Sequence, residues 1–137
     1  MITGGLGGSD LKAAEIYIPA TNQSCILPDL PTSRYYHSQV GLRACGGRPS
    51  TEYYAHCDKT CDTWNPETGS WAAQDVSLIG CKAENSWTTA RGEGSYLIGG
   101  YGWYSGNGAE GWENTKTSDL LKPDGTVIPG FNLTYRT

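Results

Sequence analysis

The chain has 137 residues and a formal net charge of -4, with 19 Gly, 5 Trp and 9 Tyr against 1 Phe and 1 Met. That length bounds it to one modest core, and a glycine- and aromatic-rich composition favours short strands and tight turns over helices. Its 10 Lys and Arg are scattered singly, which argues against nucleic acid as a partner, and no window approaches the roughly 20 apolar residues of a membrane span.

At the amino end, Met1-Ile2-Thr3-Gly4-Gly5 lacks the charged and apolar regions of a signal peptide. The expectation is a chain whose signal has been removed or that begins within something longer. The same stretch is the first of three that end in Gly-Gly, the others being Leu42-Arg43-Ala44-Cys45-Gly46-Gly47 and Tyr96-Leu97-Ile98-Gly99-Gly100. Their spacings of about 42 and about 53 residues are those of a repeat architecture. Neither a helix nor Gly-Lys-Ser/Thr follows the pairs, so they are read as structural glycines at strand ends and not as phosphate loops.

A second block follows each pair: Lys12-Ala13-Ala14-Glu15-Ile16-Tyr17-Ile18-Pro19, Lys59-Thr60-Cys61-Asp62-Thr63-Trp64-Asn65-Pro66 and Lys116-Thr117-Ser118-Asp119-Leu120-Leu121-Lys122-Pro123. Each carries a lysine, an acid three residues on, a bulky apolar residue two after that, and a proline, which suits a strand running into a turn. An outer strand is then predicted over Cys25 to Leu30, Ser70 to Leu78 and Thr126 to Tyr135. The innermost strand of the second unit is predicted over Arg34 to Val40 and that of the third over Asn85 to Ala90, while the first has none. The predicted units are residues 1–31, 32–80 and 81–137.

The apolar-Gly-Gly strand ends, the acid-x-aromatic-x-Pro run and the aromatic opening of the outer strand in Glu67-Thr68-Gly69-Ser70-Trp71 resemble kelch repeats. Tyr17 to Pro31, Ala44-Cys45-Gly46-Gly47 and Leu120 to Gly125 are similar to the kelch-type repeats of secreted, cysteine-bearing invertebrate proteins. The resemblance implies an all-β chain of three four-stranded β-propeller blades, the first without its innermost strand. Kelch propellers normally close with about six blades, so these three are expected to form part of a ring completed by another copy or by further blades of a longer chain. Cys25 aligns with Trp71 in this comparison, as though a disulfide replaced a tryptophan contact between blades.

Five cysteines, Cys25, Cys45, Cys57, Cys61 and Cys81, point to a disulfide framework and an oxidising compartment. Antiparallel geometry favours Cys61 with Cys81 and Cys25 with Cys45, leaving Cys57 for an external partner. The sequons at Asn22 and Asn132 fit the same extracellular, secreted setting, on a turn tip and an outer strand. His37 reads as a hydrogen-bonding structural residue, and His56 with Cys57 and Cys61 as a weak zinc pattern outweighed by disulfides. No cofactor or metal is expected. Trp103, Tyr104 and Trp112 on a glycine-rich loop between strands are the candidate contact surface for extracellular proteins or glycans.

The leading expectation is a noncatalytic interaction or structural module. Carbohydrate binding through residues 101–112 is one alternative. A copper oxidase similar to galactose oxidase is another, but its two-tyrosine, two-histidine copper site does not map onto this chain's pair of histidines.

Overall fold

A computed structural model describes residues 2–4, 12–49, 57–83, 86–90, 92–106 and 109–134. Every regular element among them is a β-strand, and all pairing is antiparallel.

The first sheet has three strands in chain order, β1 (Ile2–Thr3), β2 (Ala14–Ile18) and β3 (Gln23–Ile26). The second has four, β4 (Ser38–Val40), β5 (Arg43–Cys45), β6 (Thr60–Asn65) and β7 (Ser70–Ser77). The third is formed by β8 (Ser86–Ala90), β9 (Gly94–Ile98), β12 (Thr117–Leu121) and β13 (Val127–Asn132). Between β9 and β12 the chain makes a separate two-stranded ribbon, β10 (Tyr101–Gly106) with β11 (Ala109–Asn114).

Turn chemistry sets these boundaries. Asn65 accepts from the backbone N–H of Glu67 and of Thr68, while Gly69, at φ 64°, donates back to the Asn65 carbonyl. The Lys122–Thr126 turn closes with the Gly125 amide on the Lys122 carbonyl. Strands β2, β6 and β12 therefore stop at the turns that carry Pro19, Pro66 and Pro123, as a ring without an N–H requires.

Three strand expectations are corrected. The strand predicted over Arg34 to Val40 is confined to Ser38–Val40, because Tyr36 takes a positive φ of 53° and Arg34 turns its side chain inward ahead of the strand. The strand predicted from Cys25 to Leu30 runs from Gln23 to Ile26, stopping short of Pro28 and Pro31. The alignment of Cys25 with Trp71 is off by one: Trp71 faces Trp64, whereas the residue facing Tyr17 is Ser24, and one step along a strand moves a side chain to the opposite face.

The main core lies where the second and third sheets face each other, with Val40, Cys45, Cys61, Val76, Leu78, Leu97 and Leu121 buried together. Removing these groups from water at about 25 cal/mol per Å² is the principal attraction between the two sheets. The first sheet meets the second through the Thr3 hydroxyl, which donates to Gln39, and through the Trp71 indole N–H, which donates to the Pro28 carbonyl at 2.8 Å. Trp71 also lies against the buried Trp64 at 5.3 Å between ring centroids, with the rings tilted.

Candidate functional site

The chemistry-bearing groups concentrate where one sheet hands over to the next. Arg34, just ahead of β4, is fully buried and spends its guanidinium on several acceptors. Its Nε donates to Asp62 Oδ2 at 3.1 Å, Nη1 to the carbonyls of Gly46 and Thr60 at 2.9 and 2.8 Å, and Nη2 to Thr60 Oγ1 at 2.9 Å. Asp58 adds a second carboxylate 3.4 Å from Nη1. Asp62, itself fully buried, accepts further from Thr32 Oγ1 and from the amide of Gln74, where β7 bulges. Both ends of the ion pair are thus hydrogen-bonded, the condition under which a buried pair is tolerated.

The next junction repeats the arrangement with lysine. Lys82, just ahead of β8, is fully buried; its Nζ donates to the carbonyl and to Oγ1 of Thr117, both at 3.0 Å, and lies 4.0 Å from Asp119 Oδ1. The other oxygen of Asp119 accepts from the amides of Ile79 and Gly80. Burial pushes the Lys82 pKa below its usual value, and Asp119 pulls it partly back.

The Gly-Gly pairs receive these basic residues from the neighbouring sheet. Gly4, at φ 62°, lies against the Arg34 carbonyl, and Gly46, at φ 70°, against the Lys82 carbonyl. Gly47 donates its amide to that same Lys82 carbonyl at 2.6 Å. A Cβ at Gly4 or Gly46 would collide with backbone as well as strain the left-handed conformation, so both demands fall on the same positions.

His37 is hydrogen-bonded, as the sequence led one to expect. Its Nε2 shares a 2.8 Å hydrogen bond with Thr3 Oγ1, which also donates to Gln39, tying β1 to the second sheet. Burial, and secondarily the positive charge of Arg34, lower its pKa to about 4, against an opposing pull from Asp62. The unfolded chain takes up this proton near pH 6.5, so between about 6.5 and about 4 the unfolded state holds more protons and stability falls as the pH falls. A loss on the order of 2 kcal/mol is expected over that interval. Urea midpoints at pH 7 and pH 4.5 check it: His37→Gln should show a smaller acid shift than the wild-type chain, and an equal shift would assign the loss to other groups.

The cysteines pair differently from the expectation. Cys45 bonds to Cys61 and Cys57 to Cys81, while Cys25 is free and exposed on β3. The physical reason is register. Cys45 and Cys61 stand directly opposite each other on β5 and β6. Cys57 and Cys81 lie just outside β6 and β7 at the end that the Leu78 amide closes onto the Lys59 carbonyl. Cys57 and Cys61 are therefore both committed to disulfides rather than to a metal; His56 falls outside the described residues. Two disulfides are consistent with an extracellular protein.

Asn22 is exposed at a turn, at φ 53°, where its side chain accepts from the Tyr17 hydroxyl, and Asn132 is exposed at the end of β13. The segment expected as a loop is the β10–β11 ribbon, in which Trp103 is the register partner of Trp112 and Tyr104 that of Gly111. No helix among the described residues is long and apolar enough to cross a membrane.

Sequence reasoning found the acids Asp62 and Asp119 as repeat positions but missed their partners. The signal was available: Arg34 and Lys82 each stand four residues after a buried leucine, Leu30 and Leu78. No protein-family model matches the chain, and no curated protein matches it either.

Proposed function

We propose that the chain is a run of three kelch-type propeller blades serving as a noncatalytic extracellular interaction or structural module, with the ring completed by self-association. The observation that carries this reading is the recurrence of the same backbone bonds in all three sheets. Gly4, Gly46 and Gly99 donate to the carbonyls of Ala13, Thr60 and Thr117 at 2.7, 2.9 and 3.0 Å. Leu30, Leu78 and Leu133 donate to those of Lys12, Lys59 and Lys116 at 2.7, 2.6 and 2.6 Å.

Stacked repeats of this kind bury a continuous core only when each has a neighbour, and terminal sheets need covering. The buried acids are matched to bases and His37 Nε2 to Thr3, arrangements suited to a rigid frame more than to proton transfer. Disulfides and exposed sequons support the secretory setting.

The test is the native mass of the chain produced by a secretory host, measured before and after reduction and glycosidase treatment. The expected result is a species of at least two chains that loses glycan mass with the glycosidase and keeps its subunit number after reduction. A well-folded monomer at every concentration would overturn completion by self-association.

A further inference from the structure

A groove of about 310 Å³ opens between the second and third sheets, where the β4–β5 turn approaches the turn that follows β12. The two sheets that form it are neighbours within this chain, and the residues that line it are all among those described. Val40 and Leu121 line it from the buried core, so its floor is fixed by packing. Its size is at the lower limit of small-ligand sites, about 300 Å³.

Arg43, on β5, supplies its positive charge. Nη2 donates to the Pro123 carbonyl of the β12–β13 turn at 3.1 Å, which anchors the guanidinium at the seam between the sheets. Nε is shut off from solvent and has no acceptor among the described residues. Arg34 shows the contrast of an arginine whose needs are met inside the fold: its Nε meets Asp62 and its Nη atoms meet Gly46 and Thr60. Arg43 has no carboxylate partner among the described residues, and no acidic residue lines the groove. Lys122, also on the lining, is shared with Asp124 outside it, whose carboxyl is held below its usual range chiefly by its bonds to Thr126 and secondarily by Lys122. An anchored guanidinium with an unmet donor is suited to a carboxylate from outside.

The third sheet contributes a different chemistry. Trp87, on β8, lines the groove with 43% of its surface exposed, and Thr89 and Ser95, register partners on β8 and β9, add two hydroxyls. The face of an indole is the negative side of its quadrupole and attracts the C–H face of a pyranose ring. A simple aliphatic acid would use the arginine and leave the indole and the hydroxyls idle, whereas a sugar that bears a carboxylate uses all three.

We infer that this groove binds an acidic saccharide, a uronic acid residue setting its carboxylate on Arg43, its ring against Trp87 and its hydroxyls toward Thr89 and Ser95. The inference rests on the interaction-module reading and gives it a ligand, but it does not depend on how a ring of blades is completed.

Isothermal titration calorimetry of the whole chain with a short oligogalacturonate tests it, beside a neutral galactan oligosaccharide of the same length and a glutamate-rich peptide. The oligogalacturonate is expected to bind, more weakly as salt is added, and to lose about tenfold or more in affinity with Arg43→Gln and with Trp87→Ala. Trp87 lies outside the core cluster, so its alanine variant should keep the fold, and circular dichroism checks both variants. Trp103→Ala, on the β10–β11 ribbon, should bind as the wild-type chain does, which separates this groove from that segment. Equal binding of the neutral oligosaccharide, preference for the peptide, no binding of the oligogalacturonate, or undiminished binding by the Trp87→Ala chain would each overturn the inference. Self-association is read separately from the native mass, so either reading can fail while the other stands.

Discussion

Replacing Arg34 with methionine is expected to cost about 3–5 kcal/mol of folding stability, the range for breaking a buried ion pair by removing one partner. Asp62 is fully buried, and without the guanidinium its charge is left, among the described residues, with Thr32 Oγ1 and the Gln74 amide. The carbonyl of Gly46 loses its arginine donor in the same change, while that of Thr60 loses one donor and keeps the Gly46 amide. Lys82→Met should cost less, about 1–3 kcal/mol, because its Nζ lies 4.0 Å from Asp119 and that carboxylate keeps two backbone amides. Adding Asp62→Asn to Arg34→Met should recover part of the loss, since an amide oxygen can still accept from Gln74 without a buried charge. Urea denaturation of the three variants checks the order. A loss below about 1 kcal/mol for Arg34→Met would mean that the pair does not hold the junction.

The Gly-Gly strand ends and the proline-bearing turns were legible because they are written in residues whose backbone demands are local. Gly46 and Gly47 adopt φ of 70° and 84°, and Pro66 and Pro123 end strands, so their spacing survives in the sequence whatever packs around them. What was not legible depended on register. The disulfide expectation placed Cys61 with Cys81 because both flank one predicted hairpin, but the partner of Cys61 is fixed by β5 lying opposite β6, Cys45 facing Cys61. Bulges compound the difficulty: β7 gains residues opposite Asp62, and Gln74 takes a positive φ of 49° there. Counting by twos along such a strand puts side chains on the wrong face.

The junction bases were hidden for another reason. A lone arginine in the polar run Pro31-Thr32-Ser33-Arg34 reads as a surface residue, since arginine is almost never fully buried unless paired. Its partner Asp62 lies 28 residues away. Only the recurrence of a basic residue four places after Leu30 and Leu78, taken with acids at matching positions in the next sheet, joins the two. Trp103 and Trp112 show the reverse case: aromatic and glycine content marked the segment, and the pairing of β10 with β11 brings the two tryptophans to opposite register positions.

The two disulfides are expected to differ in accessibility although their entropic contributions are similar. The closed loops span 16 and 24 residues, and chain-entropy estimates give about 3 kcal/mol for each, the longer loop adding a few tenths. Cys45 and Cys61 are both fully buried within the core between the second and third sheets, so Cys45→Ala with Cys61→Ala also leaves a cavity, raising the expected cost to about 4 kcal/mol. Cys81, by contrast, is only half-buried. Alkylation followed by mass spectrometry should therefore label Cys25 alone without reductant, then Cys57 and Cys81 under mild reduction of the folded chain. Cys45 and Cys61 should react only when the core opens, at a rate that tracks global unfolding. Labelling of Cys45 before Cys81 would mean that the second and third sheets separate more easily than their shared core implies, and the rigid frame proposed for this chain would then fail at its centre.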